Sequence, residues 1–217
     1  TLQVGTTSVT GNLTLDGTAS TSTVGNMTVE GDVTIGADAI YTNNHTTTLN
    51  GRLMGNGTFA QTSNAVLFIN GESSLANMNA AASDNTVHYH AAEPGIIKGN
   101  YFNLMMNQMS GDAVLLGNVN VAGTLTLNTG SLMLEDYNLS LESAATLSIA
   151  SPSASRMIIT SGDGELRKKF SAGGSFEFPI VEETGTTEYS PVTVDVTSAA
   201  AFNNAYVGVS VTDAKHP

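Results

Sequence analysis

The sequence predicts an all-β chain: a right-handed parallel β-solenoid over residues 1–152, followed by a small antiparallel β-sandwich, incomplete in extent, over 153–217. Three observations predict it. Apolar residues alternate with small polar ones in short pairs, which is the period of a strand with one buried face. The pairs follow one another too closely for hairpins. Gly recurs beside Asn where the chain must bend.

The pairs come in order. Leu13 with Leu15, Met27 with Val29 and Val33 with Ile35 mark the early strands; Val119/Val121, Leu125/Leu127, Leu132/Leu134, Leu139/Leu141 and Leu147/Ile149 mark the later ones. From "LLGNVNVAGTLTLNTGSLMLEDYNLSL" on to Leu147/Ile149 successive pairs lie 6, 7, 7 and 8 residues apart, shorter than the spacing of hairpin-built sandwiches. Three such strands make a turn of about 20 residues, within the range of stacked solenoid repeats. Residues 8–150 then form about seven rungs, with Leu13, Leu15, Val119, Val121, Leu125, Leu127, Leu132 and Leu134 pointing inward. The "GN" steps at Gly11, Gly25, Gly55 and Gly117 are expected to be corners with positive φ, and Asn residues in register to bond from rung to rung as a ladder.

The texture changes near "SPSASR" (151–156). Beyond it "RMIIT", "GELRKKF", "SFEFPIV", "SPVTVDVT" and "AYVGVSVTD" read as longer strands parted by "SGDG", "AGG" and "EETGTT", the pattern of a small antiparallel sandwich. Helix is nearly absent. The best helical candidates are "SSLANMNAAAS" (73–83) and "TSAAAFNNA" (197–205).

Composition narrows the function. Seven Lys plus Arg against 19 Asp plus Glu give a net charge of −12, so a phosphate backbone or an anionic lipid surface is repelled. No Cys is present, hence no disulfide, thiolate metal site or Cys nucleophile. No apolar run reaches the roughly 20 residues that span a bilayer. The scarcity of Lys and Glu points to an extracellular chain whose leader has been removed.

The run from "DNTVHYH" through "KGNYFNLMMN" and "SGDGELRKKFSAGGSFEFPIV" to "YSPVTVDVT" and "VGVSVTDAKHP" resembles a unit of the large, adhesin-like surface proteins that Bacteroidota secrete. The resemblance covers about residues 84–217. It implies a β-solenoid passing into a β-sandwich, repeated or followed by further modules, with export by the type IX secretion pathway and a sorting domain further on. "DAKHP" would then stand in the middle of a domain.

Parallel β-helices also carry polysaccharide lyases and hydrolases, which need carboxylates converging on adjacent rungs. Here Asp16, Glu30, Asp32, Asp38, Asp112, Glu135 and Asp136 are scattered near bends, and their expected role is solvation. His88 and His90 lie two apart, so both rings leave one strand face at a spacing that suits a metal chelate. A third ligand is missing: His45 and His216 are distant and Glu93 is the only nearby acid. Arg167, Lys168 and Lys169 form the one basic cluster, read as protecting an edge strand or docking on Glu182 and Glu183 rather than as a glycan patch. The sequons at Asn12, Asn26, Asn44, Asn56 and Asn138 are those that so much Asn and Thr produces by chance. With 6% aromatic residues and no Trp, a sugar-stacking platform is weakly supported.

The sequence therefore assigns no catalytic, cofactor-binding or metal-ligating residue and no cofactor. It points to a non-enzymatic extracellular structural or adhesive protein, a segment of a cell-surface stalk or fibre. The alternatives are a β-helix enzyme acting on polysaccharide and a glycan-binding module. Expected partners are further modules of a longer chain or a second copy joined head to tail, with surface glycans as ligands and no nucleic acid or membrane span.

Overall fold

A computed structural model describes residues 2–160, 162–182, 188–197 and 205–211. Its strands wind as a parallel β-solenoid with three faces, and no helix occurs among the described residues. Face A has nine levels: Leu2–Val4, Ser20–Thr23, Ile40–Asn43, the far ends of Leu53–Gln61 and Ser73–Ala80, Gly99–Tyr101, Val119–Val121, Leu139–Leu141 and Leu166–Lys169. At about 4.8 Å per level this is a rod of roughly 40 Å. Face B has eight strands, from Thr7–Val9 to Thr146–Ile149. Face C begins with Leu13–Leu15, Val33–Ile35 and the near ends of the two long strands, and resumes at Gly95–Ile96, Ala113–Leu115, Leu132–Met133, Ile158–Ile159 and Ile180–Glu182.

The register shows why these residues choose this fold. Leu13 pairs with Val33 and Val33 with Leu53, while Thr46 pairs with Val66 and Val66 with Thr86. A turn is thus 20 residues. The inward columns are mostly aliphatic, with Thr23, Asn43 and Gln61 forming a buried polar stretch on face A, and one continuous core runs from Leu15 to Ile180. Leu15, Val119, Val121, Leu125, Leu127, Leu132 and Leu134 are buried in it as expected, and Leu13 is partly buried against it. Burial of each such Leu contributes about 1.5–3 kcal/mol before entropy is counted. Aromatic residues fill the wider middle: Tyr41 stacks on Phe59 at 4.7 Å, and the Tyr89 and Tyr101 hydroxyls meet at 3.1 Å beside Ile97.

Parallel pairing runs on past residue 152. Leu139 pairs with Leu166 and Leu132 with Ile158, so this rung has absorbed the "SPSASR" segment as a loop, and Ile158 in turn pairs with Ile180. Among the described residues, antiparallel strands appear only at this end. Tyr206–Val209 closes face A against Leu166–Lys169, Glu188–Tyr189 closes face C, and Gly174–Phe178 pairs with Val192–Val196.

Two expectations are corrected. "SSLANMNAAAS" is not helical: residues 73–80 form a strand whose Leu75, Met78 and Ala80 enter the core, with a register shift between Leu75 and Asn77 where the chain rounds a corner. Residues 198–204 of the other helical candidate lie outside the described residues. Of the four "GN" glycines Gly11, Gly25, Gly55 and Gly117 only Gly55 has positive φ, at 117°; a fifth such step, Gly99–Asn100, has φ of 149°. Gly25 and Gly117 are required by space instead, since a Cβ there would sit 2.5 Å from Thr6 and from Lys98. Left-handed residues such as Asn64 and Asp84 occupy other turns, 20 residues apart.

Candidate functional site

Most polar side chains are consumed by the stack. At the end of face B, Asn50 donates to Glu30 at 2.8 Å, Asn70 to Asn50 at 2.7 Å and Asn128 to Asn107 at 2.5 Å, and Asn107 meets His90 at 3.3 Å. Along another corner Asn12 accepts from the Asp32 N–H, and Asp32 from the Arg52 N–H. Asn118 and Asn138 accept in the same way from the rung above. This is the ladder expected from the turn asparagines. It also employs the sequon residues Asn12, Asn26, Asn44 and Asn138 as bonding partners.

The acids serve the same architecture. Asp16 caps its own turn at Gly17, Asp112 accepts from the Ser131 N–H at 2.6 Å, Asp136 accepts from the Asp163 N–H, and Asp32 faces Arg52 at 3.5 Å. Among the described residues no three His, Asp or Glu side chains gather as a metal site.

His88 and His90 do leave the same face, with ring centroids 5.9 Å apart. His88 lies in the outward column between Phe68, on which it stacks at 4.6 Å, and Met105. Glu93 faces Gly111 at another corner. Desolvation by burial holds both imidazoles below their ordinary pKa, and for His88 the neighbouring His90 adds to it. The unfolded chain therefore takes up these protons first as pH falls through about 6.5, so stability present above that pH is lost between it and the lower folded-state values. Urea midpoints between pH 7.5 and 5 are expected to fall in the wild type and to fall less in a His88→Thr/His90→Asn variant. An equal decline in both would remove the histidines from the account.

The basic cluster is not one patch. Arg167 and Lys169 point outward and pair with Glu165 and Glu142 at 2.8 and 2.7 Å, and Arg167 covers the Tyr206 ring. Lys168 turns inward, 6% exposed, and its ammonium donates to the Glu142, Ser143 and Ala145 carbonyls. It ends the aliphatic column with a group that closes the last turn's backbone. The strand is not an edge, having neighbours on both sides, which corrects the edge-protection reading. Glu183 and the side chain of Glu182 lie outside the described residues.

Face A carries what the sequence reading missed. A groove of about 430 Å³ crosses its outer surface, lined by Asn77, Lys98, Asn100, Asn118, Asn120 and Ser140 over Met78 and Val119. The outward column reads Asn79, Asn100, Asn120, Ser140, each paired in register with the next. These asparagines lie 20 or 21 residues apart, a signal visible only once the rung length is known. No protein-family model matches this chain, and neither a curated protein nor a solved structure shows significant similarity to it.

Proposed function

We propose that the chain is a segment of an extracellular, cell-surface stalk or fibre whose work is to be long, stiff and resistant to attack. The observation that supports this best is the double lacing of the rod: backbone ladders on three faces, and side-chain bonds such as Glu30–Asn50–Asn70 running along its axis. Such stacking couples each rung to its neighbours, so local opening is disfavoured along the whole length. The winding is read as right-handed, and the antiparallel strands at the far end as the start of a sandwich module. The resemblance to type IX-exported adhesins of Bacteroidota supports the surface location.

Head-to-tail joining, to a tandem module or a second copy, has a place to occur. Thr146–Ile149 is the last strand of face B and pairs with no further described strand, so the end of this face is an open parallel edge, whereas faces A and C end in the antiparallel strands Tyr206–Val209 and Glu188–Tyr189. An open edge of this kind accepts an added strand. The reading is tested by labelling intact cells of the source organism with antibody and by incubating the purified protein with a polysaccharide panel followed by reducing-end assays. Surface labelling without turnover is expected; exclusively internal labelling or robust turnover overturns it.

A further inference from the structure

We propose that the face-A groove is a binding site for an acidic oligosaccharide, a mostly neutral sugar chain carrying a uronic-acid carboxylate. The inference goes beyond the stalk reading and does not depend on it. It starts from unspent hydrogen-bonding capacity. Asn12, Asn43, Asn50, Asn70, Asn103, Asn107 and Asn128 all bond within or between rungs. The side-chain amides of Asn77, Asn79, Asn100 and Asn120 do not bond to any described side chain or backbone group, although Asn79, Asn100 and Asn120 stand on adjacent rungs in register and Asn77 lies on the same strand as Asn79. A ladder therefore does not account for them.

Asn79, Asn100 and Asn120 offer a row of three planar amides, each with one acceptor and two donors, repeated at about 4.8 Å; Asn100 and Asn120 line the shallow groove, and Asn77 adds a further amide to it. That pattern suits the alternating donor and acceptor hydroxyls of a sugar chain lying along the rod. Ser140 extends the row. No aromatic side chain lines the groove, so recognition there is by hydrogen bonds and charge rather than by stacking.

The charge comes from Lys98. It is exposed, it lines the groove, and it has no ion-pair partner among the described residues, whereas Arg52, Arg167 and Lys169 are each paired with a carboxylate. In a chain of net charge −12 an unpaired ammonium among neutral amides makes a local site for an anion. A long polyphosphate would meet the same amides but be repelled by the rest of the surface. A carboxylate spaced by neutral sugar hydroxyls matches one cation set in a row of amides.

The test is a titration of the isotopically labelled protein, followed by NMR, with short xylo-oligosaccharides bearing a single glucuronic acid, uncharged xylo-oligosaccharides of matched length and polyglutamate. The uronate-bearing sugar is expected to shift the backbone signals of residues 98–100 and 118–120 and the Asn100 and Asn120 amides. Lys98→Ala is expected to weaken binding about tenfold, and Asn100→Ala or Asn120→Ala about threefold each, the cost of a charged and of a neutral hydrogen bond. Arg52→Ala, on another corner, leaves binding unchanged. All these side chains are exposed or at the surface, and circular dichroism confirms that the variants fold. Equal binding of the uncharged sugar, equal binding of polyglutamate, or no shift in the groove at millimolar ligand each overturns the proposal.

Discussion

Replacing Asn43 by leucine is expected to lower the free energy of unfolding by about 3 kcal/mol, although the side chain keeps its heavy-atom count and its branch point. Asn43 is fully buried at the end of a face-A strand. Its Oδ1 accepts from Thr47 at 3.0 Å, from the His45 N–H at 3.2 Å and from Thr23 at 3.3 Å, and its Nδ2 donates to Gln61 at 2.8 Å and to the Val66 carbonyl at 2.9 Å. Three successive rungs are thereby tied through one amide. Leucine would leave the buried Gln61 Oε1 without its donor, although Gln61 Nε2 still donates to the Thr86 carbonyl, and would strip the partly buried His45 N–H and Val66 carbonyl of a partner, at about 1–3 kcal/mol for each group left unsatisfied. The two threonine hydroxyls can rotate, and Thr47 already lies 3.3 Å from the Tyr41 hydroxyl, so they add less. Urea unfolding measures the effect. A loss under about 1 kcal/mol would mean that the network sets rung register without contributing to stability.

The sequence showed the core because the core obeys a period. Val119, Val121, Leu125 and Leu127 alternate with small polar residues, and a two-residue period on short segments has few other solutions. Ser73–Ala80 escaped because the corner between Leu75 and Asn77 shifts the register, so Leu75 and Met78 are three residues apart and imitate a helical face. The Ala and Met around them favour the same misreading. Turn conformation was misplaced for a related reason: Gly beside Asn has two uses, left-handed φ and close approach, and only the second operates at Gly25 and Gly117. The groove was illegible because its asparagines gain meaning only from being stacked. In the linear chain Asn79, Asn100 and Asn120 look no different from Asn50 and Asn70, which the ladder consumes.

Gly55→Ala is expected to be among the most damaging single-methyl substitutions in the rod, with Gly99→Ala, whose φ is 149° and whose added Cβ would lie 2.0 Å from the Met78 carbonyl oxygen, beside it; the cost is about 4 kcal/mol because two separate penalties meet there. Gly55 has φ of 117°, and a Cβ would lie 2.1 Å from the Ile35 carbonyl oxygen on the rung below. Neither can relax alone. Changing φ moves the bend that lets Leu53–Gln61 pass from face C to face A, and lifting the rung breaks the Val33–Leu53 pairing beside it. The two contributions can be measured apart. Gly17 has φ of 60° with nothing within 4 Å of an added Cβ, so Gly17→Ala isolates the conformational cost, about 1–2 kcal/mol. Gly51 has no positive φ, but its Cβ would lie 2.3 Å from the Gly31 carbonyl oxygen, in a column where Gly71 approaches Gly51 in the same manner. Gly51→Ala therefore isolates the steric cost of prising two rungs apart, about 1–3 kcal/mol. Gly174, with open space around it, serves as the neutral control. Urea midpoints should then rank Gly174→Ala closest to wild type, Gly17→Ala and Gly51→Ala intermediate, and Gly55→Ala lowest. If Gly55→Ala cost no more than Gly17→Ala, the rungs would have enough freedom to separate, and the close backbone stacking that makes the rod stiff would be refuted.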